Sequence, residues 1–139
     1  MARDTSLQLR QAVIETLRAD NDVIALVPED RNYGMRTPAT LEWPFTRYGA
    51  PDAIPFRGQC LDGAIISFTL HNFSKQTFED ECAAINAVQA AKLDGLTIAL
   101  GGDASADAHI RWVGSQIIPD AAEASAWHGI NRFEATVSS

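Results

Sequence analysis

The chain has 139 residues, 46% of them hydrophobic, and carries 11 basic against 18 acidic groups for a net charge of −7. That length suits one domain, residues 1–139, able to build a core without staples, and no stretch approaches the ~18 consecutive apolar residues of a membrane-crossing helix. Nine of the cations are Arg, scattered singly with no basic run, which excludes a protein that grips nucleic acid along a continuous positive stripe.

Thr5 to Ala19 reads as the first helix. Leu9, Val13 and Leu17 recur at i, i+4, i+8, Ile14 widens the stripe, and Thr5 with Gln8 fits a capping box. Asp20-Asn21-Asp22 ends it and is suited to cap a second short helix, whose apolar turn Val23 to Val27 stops at Pro28. Residues 29–39 read as a loop with at most a short strand at Asn32-Tyr33. Leu41 to Tyr48 is an aromatic strand that either lies at an edge or begins after Pro44, because proline donates nothing to a ladder. Residues 49–63, with three Gly and two Pro, read as a long loop or hairpin arm. Such loops commonly carry contacts.

Ala64 to Phe73 alternates cleanly, Ile66, Phe68 and Leu70 against Ser67, Thr69 and His71, as in a sheet with one covered face. Ser74 to Lys92 reads as a helix with Phe78, Cys82, Ile85 and Val88 as its apolar stripe and Glu79, Asp80 and Glu81 at its start, where the helix dipole favours anions. Gly95 provides its stop. Leu96 to Leu100 is a short strand, residues 101–107 an acidic loop, His109 to Ile118 a strand with a bulge at Gly114, and Gly129 to Val137 the last strand. The order α-(α)-β-β-α-β-β does not alternate strictly. It predicts an α+β fold: one mostly antiparallel sheet of four to five strands with two main helices packed on it.

Chemistry is hard to find. No phosphate-binding glycine loop, dinucleotide fingerprint or nucleophile elbow occurs, so no enzyme activity and no cofactor is expected. Cys60 and Cys82, 22 residues apart, fit no metal-ligand spacing and should be free thiols, Cys82 as a core residue. His71, His109 and His128 each stand at a strand end. Were those strands neighbours, two imidazoles would approach, with Asp107 and Asp120 as possible partners, but the plainer reading is three accessible strand-end histidines and no metal site. The charge is uneven, −2 over residues 1–72 and −5 over 73–139. The N-terminus, Met1-Ala2-Arg3-Asp4-Thr5, lacks an apolar h-region, so synthesis in a cytoplasm is expected.

Several segments resemble the phage tail-completion, or tail-terminator, family. They are the opening helix Leu7 to Ile14 with its apolar turn Val23 to Pro28, the strand Trp43-Pro44-Phe45-Thr46-Arg47-Tyr48-Gly49, the strand Ile65 to His71 leading into the helix Phe78 to Leu93, and the closing strands Ile110 to Val113 and Gly129 to Ala135. The resemblance implies a homo-oligomer, a hexameric ring, seated on the last ring of the major tail tube protein. The ring would end tube growth and offer a surface to the neck or connector, with DNA passing through its lumen unbound. It implies synthesis in a bacterial cytoplasm and incorporation into the tail or neck of a phage or gene transfer agent, with no membrane partner. Candidate subunit contacts are Trp43, Phe45, Arg47 and Tyr48 of the aromatic strand and Ile54, Phe56 and Arg57 of the arm. Candidate lumen or partner-facing acids are Glu79, Asp80, Glu81, Asp103 and Asp107, since an acidic lining repels the polyanion. The nearest rival is a neck or stopper protein of the same particle. A small binding module, or an enzyme built on His71, His109 and Asp107, is the more distant one.

Overall fold

The computed structural model describes residues 4–57, 62–101 and 106–138. Cys60 and Asp103 lie outside these residues. The first periodic segment forms α1 (Ser6–Ala19), with Leu9, Val13 and Leu17 wholly buried. Burying each such side chain contributes roughly 2 kcal/mol. The capping box does not form. Thr5 has φ −107° and ψ 24°, outside the extended region a capping residue needs, and its hydroxyl and the Gln8 Oε1 are left without hydrogen bonds. Asp4 takes the Ser6 N–H instead, at 3.0 Å. Asp20 does cap the short α2 (Asn21–Ile24), accepting from the N–H groups of Asp22 and Val23 at 2.9 and 3.1 Å.

Among the described residues seven strands form one sheet: β1 (Asn32–Tyr33), β2 (Phe45–Tyr48), β3 (Asp52–Arg57), β4 (Asp62–Ser74), β5 (Thr97–Ala99), β6 (Asp107–Pro119) and β7 (Trp127–Ser138). The order is β1-β2-β4-β7-β6-β5, with β3 also on β4. The expected count of four to five was too low because β1, β3 and β5 are short or rich in loop formers. The sheet is antiparallel except for the parallel pair β1–β2. β2 indeed begins after Pro44. β2 and β3 follow one another along the same edge of β4: Tyr48 pairs with Leu70, and Asp52 with Ser67. Three residues, 49–51, thus oppose two, a bulge that lets Gly49 and Pro51 interrupt the strand. Residues 52–57 and 62–67 make a hairpin arm. Pro55 is tolerated because β3 is an edge strand among the described residues.

α3 (Asp80–Leu93) starts later than its sequence suggests, and its buried side is Cys82, Ile85, Asn86, Gln89 and Leu93. Phe78 lies before it and is 68% exposed, not part of a buried stripe. Two polar residues take its place. Asn72 near the C-terminal end of β4 donates through Nδ2 to Asn86 Oδ1 and Gln89 Oε1, both at 2.7 Å, and accepts at Oδ1 from Thr46 Oγ1 and Gln89 Nε2 at 2.7 and 2.8 Å. Asn131 extends the network, donating to Gln89 Oε1 and the Asn86 carbonyl and accepting from Trp112 Nε1. All five of these Thr, Asn and Gln residues are buried. Gly129 lets α3 approach, since a Cβ there would stand 2.7 Å from Asn86 Oδ1 and 2.8 Å from Cys82 Sγ.

The sheet therefore has one covered face. Its apolar part joins α1 to Tyr48, Ile66, Phe68, Leu70, Ile110 and Phe133 in a single cluster, and its amide part lies under α3. The bulge expected near Gly114 falls at Val113, between Trp112 and Gly114.

Candidate functional site

Strand alternation leaves the opposite face of the sheet free of helices. At one end that face is aromatic. Phe45 and Phe73, direct partners on β2 and β4, stack at 4.8 Å. Trp43 meets both edge-on, at 5.0 and 6.2 Å. Phe73 also stacks on His128, its partner on β7, at 4.4 Å. Arg31 fixes the loop that carries Trp43, donating to the Trp43 carbonyl at 3.0 Å and to Glu42 at 2.9 Å. Lys75 lies over the Trp43 ring and pairs with Glu123 at 2.8 Å. The result is a groove of about 340 Å³, walled by Leu41, Trp43, Phe45 and Phe73, with Arg47 at one side and Asp120 and Glu123 at the other.

Beyond the aromatics lie two histidines and two arginines. His71 Nδ1 and His128 Nε2 are 2.8 Å apart, so one imidazole donates to the other. Burial, then Arg47, His128 and Arg132, push His71 down to about 4. His128 is lowered by burial and Arg47 against the pull of Asp120. His109 is elsewhere, beside Thr97 Oγ1 at 3.1 Å. Two strand-end histidines thus do approach, but among the described residues no group of three metal-ligating side chains converges. Nor is Cys82 a nucleophile: burial pushes its thiol up to about 11, and Sγ donates to the Asn72 carbonyl at 3.6 Å.

The imidazole pair predicts a pH dependence. The folded state holds His71 at about 4 against 6.5 for the free side chain, so it binds fewer protons than the unfolded chain between those values. The stability this contributes is complete above about pH 6.5 and is lost as the pH falls towards about 4. For a half-exposed group screened by solvent the loss is about 1 kcal/mol. Urea unfolding at about pH 7.5 and about pH 4.5 should show that loss in the wild type and a smaller one in His71→Leu. Equal losses in both would assign the acid sensitivity elsewhere.

Residues 11–138 match the family described as Tail completion protein gp17. The chain belongs to that family. Its members are structural components of phage-type tails, and the chain is accordingly a virion component of a phage-like particle. The fold matches that of a chain in the virion of a native gene transfer agent particle, with a TM-score of 0.81, 20% identity and 98% of each chain covered. At that identity the likeness is one of fold. No curated protein matches the chain.

Within this family member, the contact residues expected from the sequence separate into three groups. Trp43, Phe45 and Arg47 build the groove, Phe45 as its buried floor, only 4% exposed. Ile54, Phe56 and Arg57 lie on the arm, with Ile54 59% exposed and Phe56 laid over Gly63. Tyr48 is a correction: it alternates to the covered face, is 0% exposed and has no surface for a partner. The acids do not gather either. Glu79 and Asp80 are exposed at the start of α3, whereas Glu81 accepts from Ser74 Oγ at 2.7 Å and Gln76 Nε2 at 3.0 Å. Asp107 is exposed at the opposite end of the sheet, paired with Ser138, while Ser74 pairs with Trp127 at the α3 end. Sequence reasoning missed Phe73 and Asp120 as groove residues, and His128 as the ring stacked behind Phe73. Only the possible approach of two histidines hinted that these strand ends meet.

Proposed function

We propose that the chain is the subunit of a hexameric ring that ends the tail tube. The ring sits on the last ring of tail tube protein, presents its other side to the neck or connector, and lets DNA through its lumen. The family match over residues 11–138 carries this reading. Two physical features support it. The open sheet face and the arm leave apolar and cationic surface for protein contacts, and the net charge of −7 leaves acids for a channel that must not hold DNA. Glu79 and Asp80, exposed and free of the hydrogen bonds that occupy Glu81, are the proposed lumen acids at one end, with Asp107 at the other.

The direct test is to add the purified chain to polymerising tail tube protein. Tubes are expected to stop growing and to carry one ring at an end, seen by electron microscopy with the ring mass from native mass spectrometry. Tubes of undiminished length, or tubes with no terminal ring, would sink the reading. The lumen is tested separately. The assembly should retain no DNA at roughly 50 mM salt, where phosphate contacts are strongest, while Glu79→Lys with Asp80→Lys should retain it. DNA held by the wild type would refute the repulsive lining.

A further inference from the structure

We propose that the ring contact is heterologous, with the apolar side of the hairpin arm of one copy seated in the aromatic groove of the next. The proposal rests on the ring reading above and names its joint. Ile54 and Ile65 are cross-strand partners and stand 59% and 37% exposed on the open face of the arm. The groove of Leu41, Trp43, Phe45 and Phe73 opens on that same face. Ile65 and Phe73 lie on one strand eight residues apart, about 26 Å at ~3.3 Å per residue, so a chain cannot seat its own arm. An exposed apolar knob and a separate apolar groove on the same molecule make a head-to-tail contact, and such a contact closes into a ring when the rotation fits.

Charge supports the same pairing. Asp52, next but one to Ile54 and on the same side of β3, is exposed, and Arg47 beside the groove makes no ion pair or hydrogen bond among the described residues. The knob side of the arm thus carries an acid, and the groove offers it a cation. Strand addition is a poorer alternative because Pro55 interrupts the donors of the free β3 edge.

A mixing experiment tests this. Ile54→Glu kills the knob and Leu41→Glu kills the groove. Both side chains are at the surface or half-buried, and thermal melts establish that each variant folds. Each alone is expected to lose assembly. Mixed in equal amounts they should form dimers and nothing larger, because one intact knob meets one intact groove. As a second measurement, Ile54→Cys with Thr37→Cys in a Cys60→Ser background should oxidise to chain-to-chain multimers and not to an internal bridge, since Cα atoms more than ~7 Å apart cannot be bridged. Wild-type rings with both variants still assembling and no cross-link would overturn the contact and leave the ring. A wild-type chain that forms no ring, alone or on tail tubes, and no cross-link would overturn both.

Discussion

Asn72→Ala is expected to destabilise the chain by about 3–5 kcal/mol, because it removes the hub of a buried amide network. The asparagine uses both donors and both lone pairs: Asn86 and Gln89 accept from it, and Thr46 and Gln89 donate to it. Alanine leaves Asn86 Oδ1 without its donor and the Thr46 hydroxyl without its acceptor, in a region where neither reaches water. Each unmade bond costs about 1–3 kcal/mol, well above the roughly 1 kcal/mol that a satisfied bond contributes, which is why removing one partner is worse than removing both. The urea midpoint should fall with an unchanged slope, and the melting temperature should drop by roughly 10–15 °C. A loss below about 1 kcal/mol would mean that water or a relaxed Gln89 replaces the side chain at little cost.

Phe68→Ala should cost about 3–5 kcal/mol by a different route. The ring is 2% exposed and stacks between Tyr48 at 5.2 Å and Phe133 at 5.3 Å, so it ties β2, β4 and β7 together at the level of α1. Its removal forfeits the transfer free energy of the ring and leaves a cavity that two flanking aromatics, themselves held by paired strands, cannot close. Phe68→Leu refills most of that space and should cost about 1–1.5 kcal/mol. Guanidinium unfolding of the two variants gives the difference, and equal losses would show that the site collapses freely. The contrast with the arm is instructive. Ile54→Glu should leave the unfolding midpoint almost unmoved, because the side chain is already mostly in water, while abolishing assembly. On the proposed contact, stability and association rest on different residues of the same sheet.

The sequence by itself determined the two main helices, the alternation that buries Ile66, Phe68 and Leu70, and the family, and it narrowed the Pro44 strand to an edge position or a start after the proline. These are set by local periodicity and by residues whose backbone limits are intrinsic, so no partner strand is needed to read them. The tertiary structure alone decided which polar residues belong inside. Asn86 and Gln89 look like a solvated flank of a helix, and only the register that places Asn72, Thr46 and Asn131 opposite them gives the Gln89 amide and the Asn86 Oδ1 the partners that make burial tolerable, while Asn86 Nδ2 has none among the described residues. It also decided that Tyr48 lies on the covered face and Phe45 on the open one, that a segment rich in proline and glycine pairs as an edge strand, and that Phe73 and Asp120 complete a groove begun by Trp43. Each of these depends on contacts between segments far apart in the chain, and pairing energy of that kind leaves no mark on either segment alone.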